Sequence, residues 1–268
     1  MPRRLRSRVV RRRPFVRSPP WEHRCSSSWP FSHSSSGLSL DSPSRGGMNR
    51  EDHEPIGIID LMLIDITPPI EPGITKVWPG DTPPTREVLC RMSEGAAVDL
   101  STLRSSVHLG AHADAPCHYG EGGRGMHEQP LELYWGPCEV MRVPGRRNGR
   151  VAIDDLPRRP TSPRLLLSTG TFDGFETFNE DFSGLEPSLV DHLHECGVRL
   201  VGVDTPSIDL LNDKGVAAHH RILAHDMAIL EGLALDDVPE GRYELAALPL
   251  ALVDFDGSPI RAVLRSTS

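Results

Sequence analysis

The apolar positions of the chain fall into short runs of two kinds. Continuous apolar runs of strand length, bounded by proline or glycine, predict strands, and stretches with a 3.6-residue period predict amphipathic helices. The predicted strands are 57–66, 137–143, 164–169, 198–204 and 227–235, and the predicted helices are 187–196 and 217–225. The first of these helices is followed by Gly197, a typical helix stop. The order of helix and then strand predicts an α/β layered domain.

Charge divides the chain into a basic beginning and an acidic remainder. Residues 1–50 hold eleven arginines against Glu22 and Asp41, a net charge of +9. The rest of the chain holds 18 basic and 35 acidic side chains, a net charge of −17. An acidic folded part argues against a nucleic-acid partner. No window of 18 apolar residues is present, which argues against a membrane span.

Residues 1–55 are predicted to be a disordered Arg- and Ser-rich tail, followed by one folded domain over 56–268, because the tail shows neither helical nor strand periodicity. Arg12-Arg13 is similar to a twin-arginine export signal, but no apolar segment follows it. The composition also resembles an organelle transit peptide, without a clear amphipathic helix. The interpretation we favour is that translation starts at Met48. The five cysteines include no CxxC pair, which fits a reducing compartment and a cytoplasmic location.

Four side chains suited to metal binding or acid–base chemistry stand within eleven residues: His108, His112, Asp114 and His118. All have even numbers, so an extended backbone would direct them to one face. On a straight strand, His108 and His112 would stand about 13 Å apart. A bend at Gly110 would let them share one ion. The helical HxxxH arrangement of the zincins is the other solution, but no glutamate follows the first histidine. A histidine-rich surface loop is the third alternative.

A second candidate cluster lies in the predicted helix 217–225 and the strand after it. Glu231 stands in a strand whose other members are apolar. Burying a carboxylate without a partner costs on the order of several kcal/mol, so a metal ion or a buried salt bridge should neutralise it. His219, His220 and His225 are individually weak signals, and at least one is expected at the surface. Together the two clusters offer His, Asp and Glu without thiolate, which suits a hydrolytic Zn²⁺ or Mn²⁺ site.

Trp78 lies in a turn-rich loop among Pro, Gly and Asp residues. One interpretation is a core residue, which most tryptophans are. The other is a loop wall, where an indole can stack on a flat ligand. Both stay open at this point. Cys117 has an odd number, opposite to the histidines, and is interpreted as a packing residue.

The same residues carry a likeness to a known family. The motif His108-x₃-His112-x-Asp114-Ala-Pro-x-His118 resembles the signature of the metal-dependent cyclase/hydrolase family. The likeness runs from near Ile64 to the C-terminus and excludes residues 1–55. It includes Trp78-Pro-Gly-Asp-Thr, Gly136-Pro-Cys, Gly202-Val-Asp-Thr-Pro-Ser-Ile-Asp209 and Ile229-Leu-Glu-Gly. The segment 203–209 above all points to the formamidase branch of the family.

The resemblance implies a swivelling β/β/α domain of the cyclase type, a homodimer, and two zinc ions per subunit, with Mn²⁺ as the alternative. The implied ligands of the first ion are His108, His112 and Asp114. The implied ligands of the second are His219 and Glu231, with Asp114 and Glu231 bridging. His118 is implied as the proton donor and acceptor, and Trp78 as a wall of the substrate pocket. Leu109 and Ala217-Ala218 depart from the family pattern, but none of them is a ligand.

The implied activity is hydrolysis of N-formyl-L-kynurenine to L-kynurenine and formate, a step of tryptophan degradation. The expected partner is therefore a small aryl formamide. The first alternative is another amide hydrolase of the same family, such as one that opens isatin or a related lactam. The second is a non-catalytic metal-binding relative. A missing ligand would favour the non-catalytic relative, and no ligand is missing.

Overall fold

The computed structural model describes residues 62–267, and its largest element is a nine-stranded mixed sheet. The strands within the described residues are β1 (Leu63–Asp65), β2 (Thr85–Cys90), β3 (Leu100–Arg104), β4 (His112–Asp114), β5 (Trp135–Arg142), β6 (Arg150–Val151), β7 (Arg164–Ser168), β8 (Gly184–Leu185), β9 (Leu200–Val203), β10 (Ala228–Glu231), β11 (Gly241–Ala246), β12 (Gly257–Pro259) and β13 (Val263–Ser266). The helices of the same range are α1 (Pro116–Tyr119), α2 (Pro187–Glu195) and α3 (Ala217–Ala224).

The main sheet has the order β1-β13-β11-β5-β7-β9-β10-β4-β12. Its centre is parallel, since β5, β7, β9 and β10 run in one direction. The strands on either side pair antiparallel, including β4, which lies between β10 and β12. Strand β4 therefore has both of its neighbours from much later in the chain.

The parallel centre of the sheet is buried on both faces, as expected for parallel strands. Along β7, Leu166 contributes to one apolar core while Leu165 and Leu167 contribute to the other. The second core also contains apolar side chains of α2 and α3, so these two helices cover that face. The helix-covered face is the one that carries the site described below.

Two smaller sheets lie outside the main one: a parallel pair of β6 with β8, and a pair of β2 with β3. By their contacts, residues 87–102, which include most of β2 and β3, are assigned to a different unit from the other described residues. Within it, the Met92 backbone N–H donates to Asp99 Oδ1 at 2.6 Å, beside a single 3₁₀ turn over Met92–Glu94.

The α/β prediction is confirmed, and the predicted elements of the described range are present. The predicted helices 187–196 and 217–225 are α2 and α3, and the predicted strand 227–235 is shorter, ending at Glu231. Of the predicted strand 57–66, only the end lies within the described residues, as β1. The tail over 1–55 lies outside them.

An extended backbone through the whole of the first cluster is not what the structure shows. Only His112–Asp114 form a strand, and Pro116 begins the short helix α1. Proline suits a first helical position, because it lacks the N–H that would be unpaired there. None of the helices within residues 62–267 has the length and hydropathy of a membrane span. Of the described cysteines, Cys117, Cys138 and Cys196 are free thiols.

Candidate metal centre

Strand β4 places two side chains of the first cluster on the helix-covered face of the sheet. His112 and Asp114 alternate with Ala113, which packs in the opposite core. Gly110 has a φ of 59°, a left-handed conformation that turns the chain just before the strand. This is the bend that the sequence required, and it brings the rings of His108 and His112 to a centroid distance of 5.1 Å.

The neighbouring strand β10 supplies Glu231 by its register. Glu231 pairs directly with His112 across the two strands, and Glu231 Oε2 lies 3.3 Å from His112 Nε2. Helix α3 supplies His219 from above the same face, with its Nε2 3.5 Å from Glu231 Oε1 and 3.4 Å from Asp114 Oδ2. All four side chains are 95% or more buried.

In each of the histidines His108, His112 and His219, one ring nitrogen is fixed as an N–H donor by an acceptor outside the cluster. His112 Nδ1 donates to the Gly110 carbonyl at 2.9 Å, and His219 Nδ1 donates to Asp209 Oδ2 at 2.8 Å. His108 Nε2 lies 3.2 Å from Asp256 Oδ2. In the neutral ring the second nitrogen therefore presents a lone pair to the cluster, which is how metal-bound imidazoles are arranged.

The inward nitrogens of these rings face two buried carboxylates. Both oxygens of Asp114 are buried and lack a hydrogen-bond donor. His108 Nδ1 lies 2.9 Å and His112 Nε2 3.4 Å from Asp114 Oδ1, but not in hydrogen-bond geometry. Acceptors that face acceptors in a buried site need a cation between them. The residues therefore fit divalent metal ions with nitrogen and oxygen ligands.

Two overlapping ligand groups are present among the described residues of this cluster. The donor atoms of His108, His112 and Asp114 lie within 4.8 Å of one another, and so do those of Asp114, His219 and Glu231. These groups coincide with the two ligand sets that the resemblance implies, with Asp114 common to both. The salt bridge to an arginine, the alternative for Glu231, is absent from the described contacts. Glu231 instead accepts the Ile208 N–H at 2.9 Å and faces the two histidines.

The protonation equilibria of the cluster reflect this strong mutual attraction. Burial lowers the pKa of His108, but its contacts with Asp114 and Asp256 outweigh burial and raise that pKa to about 9. The pKa of His219 is raised well above its ordinary value, because Asp114, Asp209 and Glu231 together outweigh burial. The pKa of Asp114 lies well below its usual range despite burial, because the histidines surround it. Ionised carboxylates beside imidazoles create an electrostatic environment that favours a bound metal ion.

His118 stands apart from these ligands at the rim of the cleft. Its side chain is 39% exposed, and its ring lies 4.1 Å from the ring of His108 between centroids. The nearest carboxylate is Asp256, with Oδ2 3.6 Å from His118 Nδ1. His108, His118 and Asp256 thus form a third group of donor atoms within 4.8 Å of one another.

A cleft of about 360 Å³ opens above the cluster, and an aromatic wall bounds one side of it. Trp78 lies in a loop and lines this cleft together with Phe175 and Phe178. The indole packs edge-on against Phe178 and against the buried Phe182, with distances between ring centroids of 6.4 Å and 6.0 Å. Trp78 is thus a loop wall of the cleft that is anchored on the core.

His220 and His225 do not join the site. His220 is exposed on α3, as expected of at least one histidine of this group, and His225 Nε2 lies 2.7 Å from Asp191 Oδ1 on α2. Cys117 is partly buried and packs against the first core, as interpreted from the sequence.

Sequence reasoning missed Asp209, Asp256 and the phenylalanine wall. Asp209 ends the segment 203–209 that carries the family likeness, so that signal was available without a role attached to it. Asp256 gave no local signal, because it reaches His108 only through the pairing of β12 with β4. Gly257 permits this approach, since a Cβ there would lie 2.9 Å from His108 Cε1.

Comparison with known proteins places the chain in a family. The model of the Cyclase family, described as putative cyclase, matches residues 64–210, which is more than half of the chain. The chain belongs to this family. The match includes the first ligand cluster and ends before His219 and Glu231.

Solved structures show the same fold. A potential metal-dependent hydrolase with cyclase activity is 29% identical, with a TM-score of 0.66 over 78% of this chain and 99% of that one. A predicted metal-dependent hydrolase from Bacillus stearothermophilus is 29% identical, with a TM-score of 0.65 over 77% and 99%. Isatin hydrolase A from Labrenzia aggregata, bound to benzyl benzoate, is 21% identical, with a TM-score of 0.65 over 78% and 94%. The cyclase-like α/β fold expected from the resemblance is confirmed.

Proposed function

We propose that the chain is a metal-dependent amide hydrolase that cleaves aryl formamides, with N-formyl-L-kynurenine as its substrate. The observation that carries the proposal is the buried cluster in which three imidazoles face two carboxylates, and both oxygens of Asp114 lack a hydrogen-bond donor. The aromatic wall above it favours a flat aryl ring over an aliphatic chain.

The proposed ligands form two sets that share one carboxylate. His108, His112 and Asp114 would hold one ion, and His219, Glu231 and Asp114 the other, with zinc as the proposed metal. When bound, such ions supply Lewis acidity, which lowers the pKa of water and polarises a carbonyl oxygen.

The chain's own residues orient the substrate and move a proton. Trp78 and Phe178 would hold the aryl ring so that its formamide group points to the buried cluster. His118 Nδ1 faces Asp256, which leaves Nε2 to carry a proton to the leaving aniline nitrogen. Proton transfer by a positioned side chain typically contributes about 10²–10⁴-fold to the rate. Water adds to the formyl carbon, the C–N bond breaks, and the products are the aryl amine and formate.

A second candidate is the opening of a cyclic aryl lactam such as isatin. The described residues that line the cleft include no lysine or arginine. An uncharged lactam needs no cation for recognition, whereas N-formylkynurenine carries a carboxylate beyond its ring.

The test is turnover of purified, zinc-loaded protein with N-formyl-L-kynurenine, isatin and a small aliphatic formamide. Stoichiometric release of formate and kynurenine, with little activity on the aliphatic formamide, supports the first proposal. Hydrolysis of isatin alone supports the second. Tight zinc binding without any turnover would favour a non-catalytic relative. The homodimer also remains a prediction, which light scattering at several protein concentrations would check.

A further inference from the structure

Helix α3 holds His219 through a carboxylate that is not itself a ligand. Asp209 is 98% buried, and its Oδ2 accepts both the ring Nδ1–H of His219 at 2.8 Å and the backbone N–H of His219 at 3.1 Å. Its Oδ1 accepts the Ala218 N–H at 3.2 Å. Asp209 therefore fixes the ring nitrogen and also pairs N–H groups in the first turn of α3, which intrahelical bonds leave free.

Arg150 fixes the other oxygen of the same carboxylate. Its Nη1 donates to Asp209 Oδ1 at 2.8 Å and to the Leu185 carbonyl at 2.6 Å, and its Nη2 donates to Asp213. The guanidinium is planar and cannot lose its proton, so it dictates that an acceptor must face it. Oxygen Oδ1 is thereby committed to Arg150, and Oδ2 to His219.

We propose that Asp209 is a positioning residue that holds His219 in the Nδ1–H tautomer, and that Arg150 fixes the orientation of Asp209. The proposal rests on the metal centre proposed above, because it concerns how His219 keeps the lone pair of Nε2 directed at Asp114 and Glu231. Acceptors of this kind behind a metal-bound histidine typically change metal affinity by about 10- to 100-fold.

Asp209→Asn would reverse the tautomer rather than only weaken the contact. An asparagine has one NH₂ group, and placing it at the Oδ1 position would set two fixed donors, of Arg150 and Ala218, against it. The Oδ2 position faces only one fixed donor, the His219 backbone N–H, and a ring nitrogen that can change from donor to acceptor. The amide group therefore turns its NH₂ to His219, whose Nδ1 must then accept. The proton of His219 moves to Nε2, where it blocks a metal ligand. A neutral isostere thus disturbs the site without changing the side-chain volume.

The experiment measures zinc affinity by competition with a chromophoric chelator, for the wild type and Asp209→Asn. The affinity of the variant should fall about 10- to 100-fold. Two-dimensional ¹⁵N NMR of histidine-labelled, zinc-loaded protein should show the Nδ1–H signature of His219 only in the wild type. The matched control is Asp191→Asn, which alters another Asp–His–Arg group, with His225 and Arg221, away from the cluster. Its zinc affinity should stay within about twofold of the wild type, which is small compared with the loss of about 10-fold or more expected for Asp209→Asn.

A double variant separates positioning from simple structural support. Removing the guanidinium in Arg150→Met frees the amide of Asp209→Asn to turn its carbonyl to His219. The double variant should therefore bind zinc more tightly than Asp209→Asn alone, although less tightly than the wild type. A purely structural role predicts the opposite, since two losses of support add. If Asp209→Asn does not fold, the double variant carries the test: affinity equal to the wild type would overturn the proposal.

The outcomes also separate this proposal from the proposed function. If the wild type binds no zinc, both proposals fall. If the wild type binds zinc and Asp209→Asn binds it equally, with an unchanged His219 tautomer, only the positioning role of Asp209 falls.

Discussion

The buried cluster and the rim of the cleft use the same residue types in opposite ways. In the cluster, His112 and His219 are 95% or more buried, and both ring nitrogens of each have an assigned neighbour. At the rim, His118 is 39% exposed and Asp256 is 50% exposed. A histidine whose two nitrogens are committed can hold a cation but cannot exchange protons with substrate or solvent. A half-exposed histidine with one uncommitted nitrogen can. Environment rather than residue type thus separates a ligand from an acid–base group.

The strongest test of this difference between the buried cluster and the rim is to remove a ligand from the cluster. His112→Ala should lose metal and lose turnover completely, and chelation of the wild type should do the same until Zn²⁺ or Mn²⁺ is added back. At a free metal concentration 100 times Kd, bound metal adds about 2.7 kcal/mol to the free energy of unfolding. The melting temperature should therefore fall on chelation in the wild type but not in His112→Ala.

The control for that variant is His220→Ala, an exposed histidine on α3. It should retain metal content, melting temperature and turnover. Full activity of metal-free wild type would contradict the role assigned to the buried cluster.

Removing the rim histidine should have the next largest effect. His118→Ala should keep its metal, because His118 is not one of the proposed ligands, but turnover should fall by about 10²–10⁴-fold. Metal analysis and turnover of the same preparation check both halves. If the purified variant contains no metal, then His118 is a ligand and the division between cluster and rim is wrong.

Asp256 contacts both regions, so its substitution shows which of them it serves. Asp256→Asn keeps an oxygen near His108 Nε2 but removes the charge. Because the carboxylate is half exposed, we expect metal affinity to fall by roughly tenfold or less, at the low end for such partners. A loss as large as that of His112→Ala would place Asp256 within the cluster itself.

The smallest effect concerns the wall of the cleft. Trp78→Ala removes an indole that would stack on an aryl ring, a contact worth roughly 0.5–1.5 kcal/mol beyond area burial. Use of the aryl formamide should weaken several-fold, as measured by kcat/KM, while the metal stays bound. A small aliphatic formamide should be affected little. Equal losses on both substrates would show that Trp78 acts through its contact with Phe182 and merely supports the loop.

The ligand types could be predicted from the sequence because chemistry and spacing restrict them. The bend at Gly110 followed from the reach of two imidazoles, and the helix and strand around His219 and Glu231 followed from periodicity. What the sequence did not indicate depends on strand pairing between distant segments. Asp256 meets His108 only because β12 lies beside β4, and no periodicity reports such a register. The helix at Pro116 was also missed, since four residues carry too little pattern to identify a helix.

The position of β4 between two later strands has a consequence for folding during synthesis on the ribosome. The strand that carries His112 and Asp114 is synthesised more than a hundred residues before either neighbour, β10 or β12. At a synthesis rate of about 5–20 residues per second, it waits roughly 6–20 s without a partner. A nascent chain cannot assemble the metal centre during that interval. The two proposed ligand groups therefore come together only after β10, which ends at Glu231, has been made.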